Sequence, residues 1–284
     1  MRRDTEPPVP PVPFPPARTV TVPGRGEFFL RDSGGDGATV LLLHGWFASA
    51  DMNWLGAYDA LIAGGYRVLA IDHRGHGRGL RALEAFRLVD CAADAAAVLR
   101  ETGAAPAIVV GYSMGGAIAQ LLARDHPDVA SAIVLSGTCQ HWQEPQLRRT
   151  WKAMGLVSIG LSVAPRPVLR RGFKKVGLPQ TPTTAWLMSE ITRHSARDLA
   201  EAGRELGRFD SRPWLGRVKL PAAVVVTTRD EAVPPRKQRE LAQALNAQVF
   251  EAPITHLEVT SKPAAYNPAL LDALAAMTAV GVLG

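Results

Sequence analysis

The chain has 284 residues, of which 47% are hydrophobic and 20% are charged, proportions that are usual for a soluble globular protein. Its longest apolar runs fall short of the roughly 18 to 20 residues that cross a bilayer, so we expect no transmembrane segment. The formal net charge is +6, but the arginines responsible are spread along the chain and no nucleic-acid-binding motif accompanies them. We therefore expect no nucleic-acid partner.

The first residues of the chain are rich in proline. Seven prolines lie between residues 7 and 16, where an export signal would have a continuous apolar stretch. Residues 1–18 are therefore predicted to form an extended arm with polyproline character. Two cysteines, Cys91 and Cys139, are too few for a disulfide framework and fit a reducing compartment, so we expect a cytoplasmic protein.

From residue 19 onward, short β-rich runs alternate with helical stretches. The predicted strands cover residues 19–22, 27–31, 39–43, 67–71, 107–111, 131–135, 222–226 and 248–251. The predicted helices cover residues 53–63, 86–100, 114–124, 235–245 and 264–277. This alternation is typical of a mostly parallel sheet with helices on both faces.

The alternation stops between residues 138 and 212. We interpret this stretch as a helical cap inserted into one core, which is formed by residues 19–137 and 213–284. Between residues 145 and 189 the cap contains no acidic residue and eight basic ones: Arg148, Arg149, Lys152, Arg166, Arg170, Arg171, Lys174 and Lys175. Such a cap could touch an anionic membrane surface or accept an acidic substrate group, such as the thioester of a phosphorylated carrier. Alternatively, it is a lid with its apolar face over the site and its arginines in water.

A candidate nucleophile lies between the predicted strand 107–111 and the predicted helix 114–124. The segment reads Gly111-Tyr112-Ser113-Met114-Gly115. A turn this tight forces the serine into a strained conformation, and the glycines remove side chains that would collide with neighbouring elements. We therefore expect the Ser113 hydroxyl to project above the carboxyl edge of the sheet, near the first N–H groups of the helix.

Three further motifs follow predicted strands. They are Leu43-His44-Gly45-Trp46, Asp72-His73-Arg74-Gly75-His76-Gly77 and Asp230-Glu231-Ala232-Val233-Pro234. Together with the serine turn, they resemble the α/β-hydrolase superfamily, specifically its lid-bearing serine esterase and lipase-like branch, from residue 19 onward. The resemblance implies an α/β-hydrolase fold: a mostly parallel eight-stranded sheet with helices on both faces and an inserted helical cap.

The resemblance also implies a role for each site residue. Ser113 would be the nucleophile, His256 the general base and Asp230 the acid that orients it, in the family's order along the chain. The backbone N–H groups of Trp46 and Met114 would form the oxyanion hole. Neither a metal ion nor an organic cofactor is implied.

Two points about the acid and the base stay open. Glu231 could replace Asp230 chemically, although it occupies a variable position of the turn. Thr255 stands where the family usually has a glycine before the histidine, which could reshape the loop that carries His256. His44, His73 and His76 belong to structural turns under the same resemblance, while His126, His141 and His194 lie away from the strand ends.

The activity that the resemblance implies is hydrolysis of carboxylic esters of small to medium apolar acyl substrates through an acyl-serine intermediate. The same three residues could serve thioester hydrolysis, acyl transfer, perhydrolysis or carbon–carbon bond hydrolysis. A third interpretation is a catalytically inactive ligand-binding protein on this fold. The expected partner is a small-molecule ester or thioester, and no feature of the sequence indicates an oligomeric state.

Overall fold

The computed structural model describes residues 9–143 and 181–281. The strands are β1 (Ala17–Val22), β2 (Gly26–Asp32), β3 (Thr39–Leu43), β4 (Arg67–Ile71), β5 (Ala107–Tyr112), β6 (Ala130–Ser136), β7 (Ala222–Thr227) and β8 (Gln248–Ala252). The α-helices of these residues are α1 (Ala50–Trp54), α2 (Tyr58–Ala63), α3 (Leu88–Glu101), α4 (Met114–Asp125), α5 (Pro182–Ile191), α6 (Ala196–Arg208), α7 (Pro235–Leu245), α8 (Glu258–Ser261) and α9 (Pro263–Gly281).

The strands form one sheet in the order β1-β2-β4-β3-β5-β6-β7-β8. β2 pairs antiparallel with both β1 and β4, and the pairs from β4 through β3, β5, β6 and β7 to β8 are parallel. The predicted eight-stranded, mostly parallel sheet is therefore confirmed. Because parallel strands all end at one edge, the loops after β3, β5, β7 and β8 lie together there.

The sheet carries a hydrophobic core on each face. Successive residues of a strand point to opposite faces, and in β3 both kinds of position are buried and apolar. Leu41 belongs to the core that also contains Ile118 of α4, whereas Leu42 belongs to the core that contains Leu270 of α9. A continuous apolar run such as β3 is stable only between two layers of helices, and here it lies between two.

The sequence predicts one continuous helix over residues 53–63, and this prediction is wrong. Two short helices, α1 and α2, occupy this stretch, and Gly56 lies between them. A Cβ atom at Gly56 would lie 3.0 Å from Cβ of Pro263, the first residue of α9. α9 thus packs closely against the turn between α1 and α2.

Residues 138–212, the predicted cap, are described only in part. Positions 144–180 lie outside the described residues, and so do the basic side chains between Arg148 and Lys175. α5 and α6 lie in the described part, between β6 and β7. The division of the chain into arm, core and cap stays a prediction. Within the described ranges, none of the helices has the length and apolarity needed to cross a membrane.

Polar contacts hold α5 and the start of α6 against the turn that follows β4. Arg78 donates to both carboxylate oxygens of Glu190 in α5, at 2.9 and 3.0 Å. The N–H of Gly77 donates to Nδ1 of His194 at 2.7 Å, and the N–H of Ser195 donates to the carbonyl of Gly75 at 2.8 Å. Because Glu190 is 1% exposed, its ion pair with Arg78 is largely shielded from solvent.

The N-terminal arm also contacts α5. Phe14 packs edge-on against Tyr58 of α2, with 6.0 Å between the ring centroids, and it lies 5.7 Å from the buried ring of Trp186 in α5. Arg31 of β2 places its guanidinium over the Phe14 ring and donates to the carbonyl of Pro15. This part of the arm is thus packed between α2 and α5.

Candidate active site

Ser113 lies on a sharp turn between β5 and α4. Its backbone has φ 53° and ψ −116°, a conformation that L-residues rarely adopt. A Cβ atom at Gly111 would lie 2.3 Å from the carbonyl oxygen of Gly115, and one at Gly115 would lie 2.1 Å from that of Leu43. Only glycine fits these two positions, since the clashing atoms belong to the backbone.

The structure brings the side chains of the three predicted residues into one hydrogen-bonded chain. His256 Nε2 lies 3.0 Å from Ser113 Oγ, and His256 Nδ1 lies 2.7 Å from Asp230 Oδ2. Asp230 follows β7 and His256 follows β8, so parallel neighbouring strands bring both to the sheet edge where β5 ends at the serine turn. With a proton on Nδ1 facing the carboxylate, Nε2 is free to accept the hydroxyl proton of the serine.

Asp230 is held by donors of its own turn. Its Oδ1 accepts from the N–H groups of Ala232 at 2.9 Å and Val233 at 2.8 Å, and its Oδ2 accepts from the Thr227 hydroxyl at 2.8 Å. The Asp230 side chain is fully buried, and these bonds replace the water that a carboxylate requires. Glu231 is exposed, so of the two acids only Asp230 lies against His256.

Thr227 and Gln238 support the Asp230 carboxylate, and neither residue belongs to the motif Asp230–Pro234 by which the sequence indicates this acid. Gln238 donates through Nε2 to the Thr227 hydroxyl at 2.7 Å, which directs the hydroxyl hydrogen toward Asp230. Gln238 also accepts from the Thr227 N–H at 3.0 Å. A glutamine in the second turn of a helix is common for many reasons, so the sequence does not indicate the contact between Gln238 and Thr227.

Thr255, which departs from the family pattern, adopts an ordinary backbone conformation. Of the non-glycine residues in the described chain, only Phe47, Ser113 and Asn246 have positive φ. The N–H of Thr255 donates to the Glu258 carboxylate at 2.9 Å, so the start of α8 stabilises the loop. The loop that carries His256 therefore does not need glycine at position 255.

The loop after β3 lies directly against Ser113. A Cβ atom at Gly45 would lie 3.3 Å from Cβ of Ser113, and the Gly45 N–H donates to the Asn53 side chain at 3.0 Å. Trp46 follows Gly45, and Met114 is the first residue of α4. Of the two predicted oxyanion residues, Trp46 therefore follows a glycine that lies against Ser113, and Met114 directly follows Ser113 in the chain. The role of their N–H groups stays a prediction.

His44 fixes this loop to the turn after β4. Its Nε2 accepts from the N–H of His73 at 3.0 Å, and its Nδ1 lies 2.8 Å from the carbonyl of Gly45. Burial lowers the pKa of His44 well below its usual range, so the ring is neutral and carries its proton on Nδ1. His44 has the structural role that its turn motif predicts.

His73 and His76 lie buried beside His44, and the half-buried His194 lies next to His76. Burial lowers the pKa values of His73 and His194 to about 3. The ring of His194 lies 5.3 Å from that of His76, so this histidine packs against the core. Among the described residues, no group of histidine, cysteine, aspartate or glutamate side chains is arranged to hold a metal ion.

Comparison with known proteins identifies the family. The profile of the alpha/beta hydrolase fold family matches residues 38–154. The pimeloyl-[acyl-carrier protein] methyl ester esterase of Chromobacterium violaceum is 31% identical over 230 residues, which cover 77% of this chain and 87% of that enzyme. A Variovorax paradoxus protein named for carbamate hydrolysis is 28% identical over 262 residues, covering 87% of this chain and 95% of that protein. The chain belongs to the α/β-hydrolase superfamily.

A solved structure supports the same fold. The enol-lactonase from Burkholderia xenovorans superimposes with a TM-score of 0.78 at 23% identity, covering 91% of this chain and 100% of that one. As a member of the α/β-hydrolase superfamily, the chain is a hydrolase.

An apolar wall of this α/β hydrolase is formed by α5, α6 and the loop after β3. Leu199 of α6 is buried, and the side chains packed against it are Trp46, Phe47, Met188, Ile191 and Ala196. Trp46 also donates through its indole N–H to the carbonyl of Leu199 at 2.8 Å. The loop after β3 and the helices α5 and α6 thus share one apolar surface, and Gly45 of the same loop lies against Ser113.

Proposed function

We propose that this hydrolase cleaves carboxylic esters of small to medium apolar acyl groups through an acyl-serine intermediate. The observation that carries the proposal is the chain of contacts from Ser113 Oγ to His256 at 3.0 Å and from His256 to Asp230 at 2.7 Å. The strained conformation of Ser113 supports it, because such strain at a turn is characteristic of functional positions. Ser113 is half-buried, so part of this residue is open to its surroundings.

In the proposed reaction, Ser113 Oγ attacks the ester carbonyl and transfers its proton to His256 Nε2. Asp230 keeps the other imidazole nitrogen protonated and stabilises the imidazolium that forms. The N–H groups of Trp46 and Met114 stabilise the negative oxygen of the tetrahedral intermediate. The alcohol leaves with the proton from His256, and the acyl group stays on the serine. Water then attacks the acyl-serine with His256 again as the base, and the acid is released.

Apolar surface beside the nucleophile supports an apolar acyl group as substrate. The wall around Leu199 offers hydrocarbon contacts from the side chains packed against it. Burial of each methylene group there contributes about 0.8 kcal/mol to binding. The Chromobacterium violaceum relative is named for ester cleavage, which supports the same bond type here. α5 and α6, which contribute Met188, Ile191 and Leu199 to this wall, belong to the predicted cap, residues 138–212.

The proposal is tested with p-nitrophenyl esters of increasing acyl length, measured beside acyl thioesters. The wild type should cleave short to medium esters, and Ser113→Ala should lose at least about 10⁴-fold in kcat, because the proposed acyl intermediate forms on the Ser113 hydroxyl. Ser131→Ala is the matched control, since Ser131 lies at the opposite end of β6 from the site. It should retain wild-type rates.

Labelling with a fluorophosphonate tests the nucleophile without depending on substrate choice. The wild type and Ser131→Ala should become covalently labelled, and Ser113→Ala should not. Equal labelling of Ser113→Ala, or ester hydrolysis by it at the wild-type rate, would show that Ser113 is not the nucleophile.

A further inference from the structure

Tyr112 links the serine turn to the loop that carries His256. Its hydroxyl donates a hydrogen bond to the backbone carbonyl of His256 at 2.6 Å, across 144 positions of the chain. Tyr112 is the last residue of β5 and directly precedes Ser113. Two consecutive residues, Tyr112 and Ser113, therefore both contact His256, one through its carbonyl and the other through its imidazole.

Packing fixes the ring of Tyr112. It lies edge-on to Trp54 and to Tyr266, at centroid distances of 6.3 and 6.2 Å and interplanar angles of 84° and 88°. A Cβ atom at Gly137 would lie 2.9 Å from Cζ of the ring, so the ring occupies space that glycine leaves open. A ring held on three sides cannot move its hydroxyl without repacking the core.

His256 lies on an irregular loop between β8 and α8, where no ladder of backbone hydrogen bonds fixes its position. The Tyr112 hydroxyl holds the carbonyl of the same residue whose imidazole reaches Ser113, and the two rings pack at 5.3 Å. Burial raises the pKa of Tyr112 well above its usual range, so the hydroxyl remains a donor.

We propose that Tyr112 is a positioning residue that sets the distance between His256 Nε2 and Ser113 Oγ. This inference rests on the proposed role of His256 as the general base. Tyr112 is 2% exposed and its hydroxyl is engaged with the carbonyl, so it acts through His256 and does not touch substrate. Loss of the hydroxyl should therefore slow proton transfer and leave substrate binding unchanged.

The test compares Tyr112→Phe with Tyr266→Phe, which removes a hydroxyl from the buried tyrosine beside it. Steady-state rates on p-nitrophenyl butyrate are measured at a temperature at which circular dichroism shows every variant to be folded. Tyr112→Phe should lower kcat about tenfold with KM within about twofold, because small displacements of a reacting group are costly. Tyr266→Phe should keep both constants within about twofold of wild type. Fluorophosphonate labelling of Tyr112→Phe should slow in parallel with kcat.

Three outcomes would overturn the inference. Wild-type kcat in Tyr112→Phe would show that the hydroxyl does not position the base, while the proposed function would stand. A raised KM at unchanged kcat would assign Tyr112 to substrate binding. A wild type that neither cleaves esters nor reacts with fluorophosphonate would overturn the proposed function, and the inference with it.

Discussion

Replacing Asp230 with asparagine tests the orienting role of the carboxylate with little change in shape. The Asn side chain can keep the two hydrogen bonds from the N–H groups of Ala232 and Val233 to one oxygen. Its amide NH₂ then stands where Oδ2 lies 2.7 Å from His256 Nδ1. Since the amide donates at that position, the imidazole proton must move to Nε2, which faces Ser113 Oγ and can no longer accept the serine proton.

The expected loss follows from this change of tautomer. A triad histidine held in the wrong tautomer loses about 10⁴-fold in kcat, which corresponds to roughly 5 kcal/mol of transition-state stabilisation. The free energy of unfolding should change by only about 1 kcal/mol, because volume and most hydrogen bonds are kept. The assay is kcat on a p-nitrophenyl ester, with urea unfolding as the check on folding.

Glu231→Gln is the control for this prediction. Glu231 is the exposed neighbour that could replace Asp230 chemically, and its change should leave kcat within about twofold of wild type. A kcat for Asp230→Asn within about tenfold of wild type, or an equal loss in Glu231→Gln, would refute the assignment of Asp230 as the orienting acid.

Two further predictions concern stability. Phe14→Ala should lower the free energy of unfolding by about 2 kcal/mol, since the partly buried ring packs on Tyr58 and Trp186. Pro13→Ala, a change at the exposed neighbouring residue, should have little effect. Equal urea midpoints for the two variants would contradict this prediction. Burial lowers the pKa of His194 from 6.5 to about 3. Between these two pH values the unfolded state binds a proton at His194 that the folded state does not, so the free energy of unfolding falls as the pH falls. His194→Asn should make this fall shallower by about 1 kcal/mol per pH unit, averaged in urea titrations between pH 7 and 5, and an unchanged slope would refute the neutral state of the ring.

The strands could be predicted from the sequence because their signal is local. The predicted ranges 39–43 and 67–71 coincide with β3 and β4, and the predicted helix 235–245 coincides with α7. Buried parallel strands are continuous apolar runs bounded by turn residues, and such runs can be recognised without knowing their neighbours. The serine turn can be recognised for a similar reason, since its glycines must occupy fixed positions around Ser113.

The contacts that connect distant segments could not be predicted in this way. Nothing in the proline-rich arm indicates that Phe14 packs on Trp186, 172 positions later, and the bond from Tyr112 to His256 is equally invisible. The break between α1 and α2 is equally hidden, since Gly56 lies there against Pro263 from the other end of the chain. Each of these features depends on tertiary packing, which leaves no period or motif in the sequence.

The place of β8 in the sheet has a consequence for biosynthesis. β8 is the outermost strand beyond β7, and the residue that faces Ser113 follows it, 143 positions after the serine. A nascent chain can therefore complete the serine turn, with its nucleophile, long before the base exists. Under the proposed mechanism, a polypeptide that ends before β8 has Ser113 but lacks His256, the residue that accepts its proton. Ester hydrolysis would therefore begin only after the last strand of the sheet has been made and has paired with β7.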